Sequence, residues 1–173
     1  FYQAGSSATT FELKGLENWD VSSVTNMRSM FNGAGSSATT WSIGDISNWN
    51  VSSVTNMSSM FNGAGRNTTT FNLNLSNWNT SKVTNMSFMF EYAGSSATTF
   101  ELKGLENWDV SSVTDMSSMF THAGKNTTTF NLNLSNWNTS KVTDMSSMFY
   151  QAGSSATTFE LKGLENWDVS SVT

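Results

Sequence analysis

Between Thr68 and Trp78 the chain alternates strictly, with Phe71, Leu73 and Leu75 apolar and Asn72 and Asn74 polar between them. That is the two-residue period of a strand with one face turned inward. The period then changes. In the first unit Val24, Met27, Met30 and Phe31 fall at i, i+3, i+6 and i+7, which at about 100° per residue confines them to an arc of about 120° and predicts one short helix. Asp20, Ser22 and Thr25 are candidate caps for its start. An Ala-Gly follows each Met-Phe, placing Gly35, Gly65, Gly94, Gly124 and Gly153 where a left-handed helix C-cap belongs. One unit is therefore strand, turn, helix and return loop.

The same pattern fills the chain. Aligned on the Met-Phe pair, the units are 1–30, 31–60, 61–89, 90–119, 120–148 and a partial 149–173, a period of 29 or 30 residues. A fixed period of this size signals a solenoid whose units bury their apolar faces only against neighbours. The expected fold class is an α/β repeat solenoid forming one array over 1–173, with a parallel sheet on one face and one short helix per repeat on the other. Stacking predicts columns of Trp19, Trp49, Trp78, Trp108, Trp137 and Trp167, of Met27 to Met145, of Met30 to Met148, and of Phe31 to Phe149. Thioethers pack well on aromatic rings, so these columns read as core rather than as a cofactor channel. The chain begins at the Phe of one helix and stops where another helix is due, which predicts an internal segment of a longer array.

Two spellings of the unit occur. The shorter carries Phe71-Asn-Leu-Asn-Leu-Ser-Asn-Trp78; the longer inserts one residue beside a glycine, as in Leu102-Lys103-Gly104-Leu105. The insertion predicts a bulge or a strand-ending turn. If the alternation holds, the polar strand face displays Glu12 and Lys14, Ser42, Asn72 and Asn74, Glu101 and Lys103, Asn131 and Asn133, and Glu160 and Lys162 in two rows. Solenoids bind extended partners on such faces, so these eleven residues are the candidate binding site. The competing expectation is a solvated face of asparagine and ion-pair ladders.

Composition narrows the chemistry. Thirteen acidic and eight basic residues give a net charge of −5, which argues against a nucleic-acid footprint. Cysteine is absent, removing disulfides and thiolate metal sites. No apolar run has the length of a membrane span. His122 is the single histidine, which excludes histidine-based triads and multi-histidine metal centres; it is expected to be an exposed residue at a helix end. Asp20, Asp109 and Asp168, with Glu17, Glu106 and Glu165, recur with the longer spelling and read as turn and cap residues. The column Asn18, Asn48, Asn77, Asn107, Asn136 and Asn166 is expected to satisfy turn backbone groups. No catalytic residue, metal site or cofactor is expected.

The run Leu-x-Leu-x-x-Trp-Asn-Thr-Ser-Lys-Val-Thr-Asn-Met-Ser-x-Met-Phe at 73–90, with a close copy at 132–149, resembles the BspA-like leucine-rich-repeat surface proteins of bacteria. The resemblance spans essentially the whole chain. It implies a leucine-rich-repeat solenoid that is exported, displayed on the cell surface and often adhesive, with host or neighbouring-cell macromolecules as partners. Trp78 and Trp137 stand where many leucine-rich repeats carry an inward Asn or Cys, and the longer units break the Leu-x-Leu-x-x-Trp spacing. The function expected is a non-enzymatic adhesive surface protein. The alternative is an extracellular filament or spacer whose copies self-associate into fibres.

Overall fold

The computed structural model describes residues 1–173. The chain winds into a β-solenoid of about five coils, each 29 or 30 residues long and stacked in parallel on the last. Each coil contributes one short strand: β1 Thr10–Glu12, β2 Thr40–Ser42, β3 Thr70–Asn74, β4 Thr99–Lys103, β5 Thr129–Asn133 and β6 Thr158–Lys162. The alternation predicted for these stretches is present, because in β3, β4 and β5 every second residue is buried and the others are exposed.

No α-helix forms, which corrects the expectation of one helix per repeat. The Met-x-x-Met-Phe segment is a succession of overlapping turns held open by left-handed residues, in one coil Ser29, Gly33 and Gly35 at φ 57°, 67° and 57°. The amides divide their bonding. Met30, Asn32 and Ala34 N–H donate three residues back, to Met27, Ser29 and Phe31 O, whereas Met27, Ser29, Phe31 and Gly33 N–H donate to Asn56, Ser58, Met60 and Asn62 O of the next coil. A helix would keep all of these donors within its own segment and leave nothing to join one coil to the next. The apolar spacing is the same in both, so the predicted burial is right: Met57, Met60 and Phe61, with Met86, Met89 and Phe90, are fully enclosed. The glycines expected as helix caps are left-handed, but they close turns.

The core is a set of columns. Phe31, Phe61, Phe90, Phe120 and Phe149 stack at 5.4–5.5 Å between centroids, and Trp78, Trp108, Trp137 and Trp167 at 6.0–6.4 Å. The offset stacks add to the burial of each ring. Within the Trp column three indoles also tie their coil to the one before: Trp49, Trp78 and Trp137 Nε1–H donate to Leu16, Ile46 and Leu105 O at 2.7, 2.9 and 2.8 Å. Threonine does the same at two edges. Thr55, Thr84, Thr114 and Thr143 hydroxyls each reach the carbonyl of the threonine one coil back, at 3.1–3.2 Å.

The strand face is not one continuous sheet. β1 pairs with β2, β3 with β4 and β5 with β6, all in parallel, and no ladder joins β2 to β3 or β4 to β5. On another side of the coil the bridges Asn26–Asn56–Asn85–Asp115–Asp144 run unbroken. The interruption follows the spelling. After β4 the chain turns at Gly104, φ 90°, into a 3-10 turn at Leu105–Asn107, so the inserted residue is a strand-ending turn. A Cβ at Gly104 would overlap the Cα of Ser76 in the preceding short coil. The longer coil therefore closes down on the short coil before it, and the seam lies on its other side.

Candidate functional site

The sequence-predicted site residues all lie on the outward strand face, and register sets their order. Asn72 is beside Glu101 and Asn74 beside Lys103; Asn131 is beside Glu160 and Asn133 beside Lys162; Glu12 is beside Ser42. Each Glu is paired with the Lys two residues on, Lys14 to Glu12 and Lys103 to Glu101 at 3.4 Å and Lys162 to Glu160 at 3.7 Å. These pairs are exposed, so they cancel charge locally and stabilise little.

The asparagines separate into two kinds. Asn74 Oδ1 accepts the amide and hydroxyl of Ser76 at 3.2 and 2.6 Å, and Asn133 Oδ1 accepts those of Ser135 at 3.2 and 2.7 Å. They are turn residues. Ser42 Oγ likewise accepts the Gly44 amide at 3.3 Å. Asn72 and Asn131 make no side-chain hydrogen bond, so their amides are the uncommitted polar groups of this face.

The seams add what the alternation could not show. Leu75 N–H donates to Lys103 O and Leu134 N–H to Lys162 O, both at 2.9 Å. By strand parity, Phe100 and Leu102 of β4 then turn their backbone groups toward β5, and Asn131 and Asn133 of β5 turn theirs toward β4. No backbone bond joins these two edges; the nearest is Thr128 N–H to Thr98 O at 3.2 Å, before the strands begin. The opening is a groove of about 750 Å³ walled by Glu101, Lys103, Asn131 and Asn133 and bounded by Gly104 and Thr127. A groove of about 350 Å³ lies between β2 and β3 at the matching place. Buried Thr68 and Thr127 sit at the heads of the two seams. The Thr127 hydroxyl faces the carbonyls of Thr98 and Thr129 at 3.2 and 3.0 Å, and Thr68 faces those of Thr39 and Thr70 at the same distances. The corresponding residue in the longer coils is Ala38, Ala97 or Ala156.

The aspartates serve turns. Asp20, Asp109 and Asp168 accept the amides of Ser22, Ser111 and Ser170 at 2.9–3.0 Å. Hydrogen bonding from those serines, side chain first and then backbone, holds their carboxyls below the usual carboxylate range. Asn50, Asn79 and Asn138 accept the equivalent amides without a charge. In the asparagine column, Asn77 donates to Asn48 Oδ1 at 3.0 Å and Asn107 and Asn136 donate to Ser76 and Glu106 O at 3.2 and 2.9 Å, each reaching back one coil.

His122 is not the exposed helix-end residue expected. It is left-handed at φ 56°, stacks on Tyr92 at 4.5 Å and meets Tyr150 edge-on at 5.4 Å. Its Nδ1 is buried without a partner. Desolvation first, then the cations Lys125 and Arg66, lower its pKa. No group of three or more His, Asp or Glu side chains converges as a metal site would require.

The profile of a family described as "Mycoplasma protein of unknown function, DUF285" matches residues 1–98 and 93–173. No curated protein and no solved structure matches the chain.

Proposed function

This chain belongs to the DUF285 family of Mycoplasma proteins, and on that footing we propose that it is a non-enzymatic binding module displayed at the cell surface, whose polar strand face contacts an extracellular macromolecule. The reading extends the resemblance to BspA-like adhesive repeats, from which the surface location and the host or neighbouring-cell partner derive. One observation carries it. The face is interrupted by seams in which strand edges and the free side chains of Asn72 and Asn131 present unused donors and acceptors. Hydrogen-bonding groups already spent in a closed sheet would have little to offer a partner.

The geometry also selects the variant that tests it. Asn74 and Asn133 hold turns, so replacing them confounds binding with folding. Asn72→Ala with Asn131→Ala is expected to reduce binding to extracellular-matrix proteins or to glycans on an array, with the circular dichroism spectrum unchanged. Binding equal to that of the parent chain removes the strand face as the contact surface.

A second reading, a stalk or fibre in which repetition supplies length, is favoured by the unbroken ring columns and the near-identity of the coils. It predicts particles of uniform width whose length follows coil number in electron micrographs. Compact particles of fixed size would count against it.

A further inference from the structure

The coils are nearly copies, so the places where they differ are informative. The pair of positions after Met-Phe reads Asn32-Gly33, Asn62-Gly63, Glu91-Tyr92, Thr121-His122 and Tyr150-Gln151. Close to this pair the return loops read Ser36-Ser37, Arg66-Asn67, Ser95-Ser96 and Lys125-Asn126 in successive coils. These eight loop residues line one groove of about 440 Å³, with no carboxylate and no apolar side chain among them. It lies on the return loops, away from the strand-face seams.

Two cations stand over this groove. Arg66 and Lys125 take part in none of the three ion pairs of the molecule. The Arg66 guanidinium lies over the Tyr92 ring at 4.6 Å, a contact that positions it without neutralising it. His122 stacks on the same Tyr92 ring, and desolvation first, then Lys125 and Arg66, lowers its pKa. The charge here is thus positive in a chain that is acidic as a whole.

Spacing points to the ligand. The loops are joined coil to coil by Asn67 N–H to Ser36 O, Ser96 N–H to Arg66 O and Asn126 N–H to Ser95 O at 2.9–3.1 Å, so they advance at the interval of a parallel ladder. Arg66 and Lys125 occur two coils apart, an axial separation of about 10 Å. That is close to one disaccharide of an extended glycan. Between them Ser95, Ser96, Asn67 and Asn126 offer hydroxyls and amides suited to sugar hydroxyls. Nucleic acid fits poorly, since its phosphates recur at about 3.4 Å along a duplex strand and would meet the net negative charge of the chain.

We propose that this return-loop groove binds a linear acidic polysaccharide lying along the solenoid axis, with one anionic group of successive disaccharides on Arg66 and the next on Lys125. The site is separate from the strand face and stands whether or not that face binds.

Arg66→Ser and Lys125→Ser are well-defined tests, because serine occupies these positions at Ser36 and Ser95 in neighbouring coils and the fold accepts it there. The probe is a hyaluronan oligosaccharide several disaccharides long, with a neutral chitin oligosaccharide of equal length as control, titrated by calorimetry and by amide chemical shifts. The chain is expected to bind hyaluronan and not chitin, with shifts at Ser95 and Ser96, and added salt should weaken binding. Each single variant is expected to bind about tenfold more weakly and the double variant not measurably. The Asn72→Ala, Asn131→Ala chain should bind like the parent. Equal affinity for the two glycans, no binding of hyaluronan, or unchanged binding by the double variant each overturns the proposal.

Discussion

Gly94 adopts φ 50°, and a Cβ placed on it would overlap Phe71 Cβ and crowd its ring. Gly63, at φ 64°, has nothing nearer than 3.9 Å to such a Cβ. The same column holds Tyr92 and His122, both left-handed. Gly94→Ala should therefore cost about 2–5 kcal/mol, combining left-handed strain with overpacking, whereas Gly63→Asn should cost under about 1 kcal/mol, since Asn tolerates this conformation. Urea midpoints distinguish them, and equal shifts would refute the steric account. The turn aspartates make a second prediction at this scale. Their pKa values are depressed in the folded chain, so their contribution is complete above the unfolded value of about 3.9 and is lost as pH falls through the lower folded values. Asn takes the same role in the other three coils at Asn50, Asn79 and Asn138. Asp20→Asn, Asp109→Asn and Asp168→Asn together should flatten the loss of melting temperature below about pH 4. A parental slope in the triple variant would show that the acid response arises elsewhere.

The β3–β4 ladder and the β4–β5 seam flank the same coil, the one with a residue inserted at Gly104, and differ in which side of it they lie on. A short coil lies snugly under the long coil that follows it, and a seam opens when a short coil follows a long one. Hydrogen exchange reads this directly. Amides of Phe100, Leu102, Asn131 and Asn133, which face the seam, are expected to exchange well before those of Phe71, Leu73, Phe130 and Leu132, which lie within paired ladders. Uniform protection across both sets would mean that the seam is closed in solution. The seam could not be read from the alternation of Phe71, Leu73 and Leu75, because alternation fixes which face a side chain takes and is silent on how far apart two strands lie. The inserted glycine was the available signal, and by itself it predicts only a bulge or a strand-ending turn.

The array as a whole should respond to coil number. Excising residues 61–119 removes one short and one long coil and rejoins Met60 to Phe120, preserving every column. Such a chain is expected to fold with a lower melting temperature, since each coil contributes chiefly through its neighbours. Excising 61–118 instead leaves Met119 as one extra residue between Met60 and Phe120, where no glycine turn absorbs it, and breaks the Met and Phe columns at that coil. That chain should melt at a lower temperature than the 61–119 deletion, followed by circular dichroism. Equal stability of both deletions would deny that the columns hold the molecule together.

The sequence by itself determined the period, the coil boundaries, the identity of the buried columns and the outward placement of Asn72, Asn131 and their neighbours, because each follows from side-chain chemistry repeated at a fixed spacing. Met27, Met30 and Phe31 were placed in the core correctly and on the wrong backbone. A helix and a chain of turns bring residues three and four apart to one side alike, so the choice depends on where the amides bond. Here they bond to the next coil, and that partner exists only once the coils are stacked. The same holds for the seams, for the half-buried His122 between Tyr92 and Tyr150, and for Arg66 and Lys125 facing one groove. These features arise between coils, at distances set by how the stack closes, and only the tertiary structure decided them.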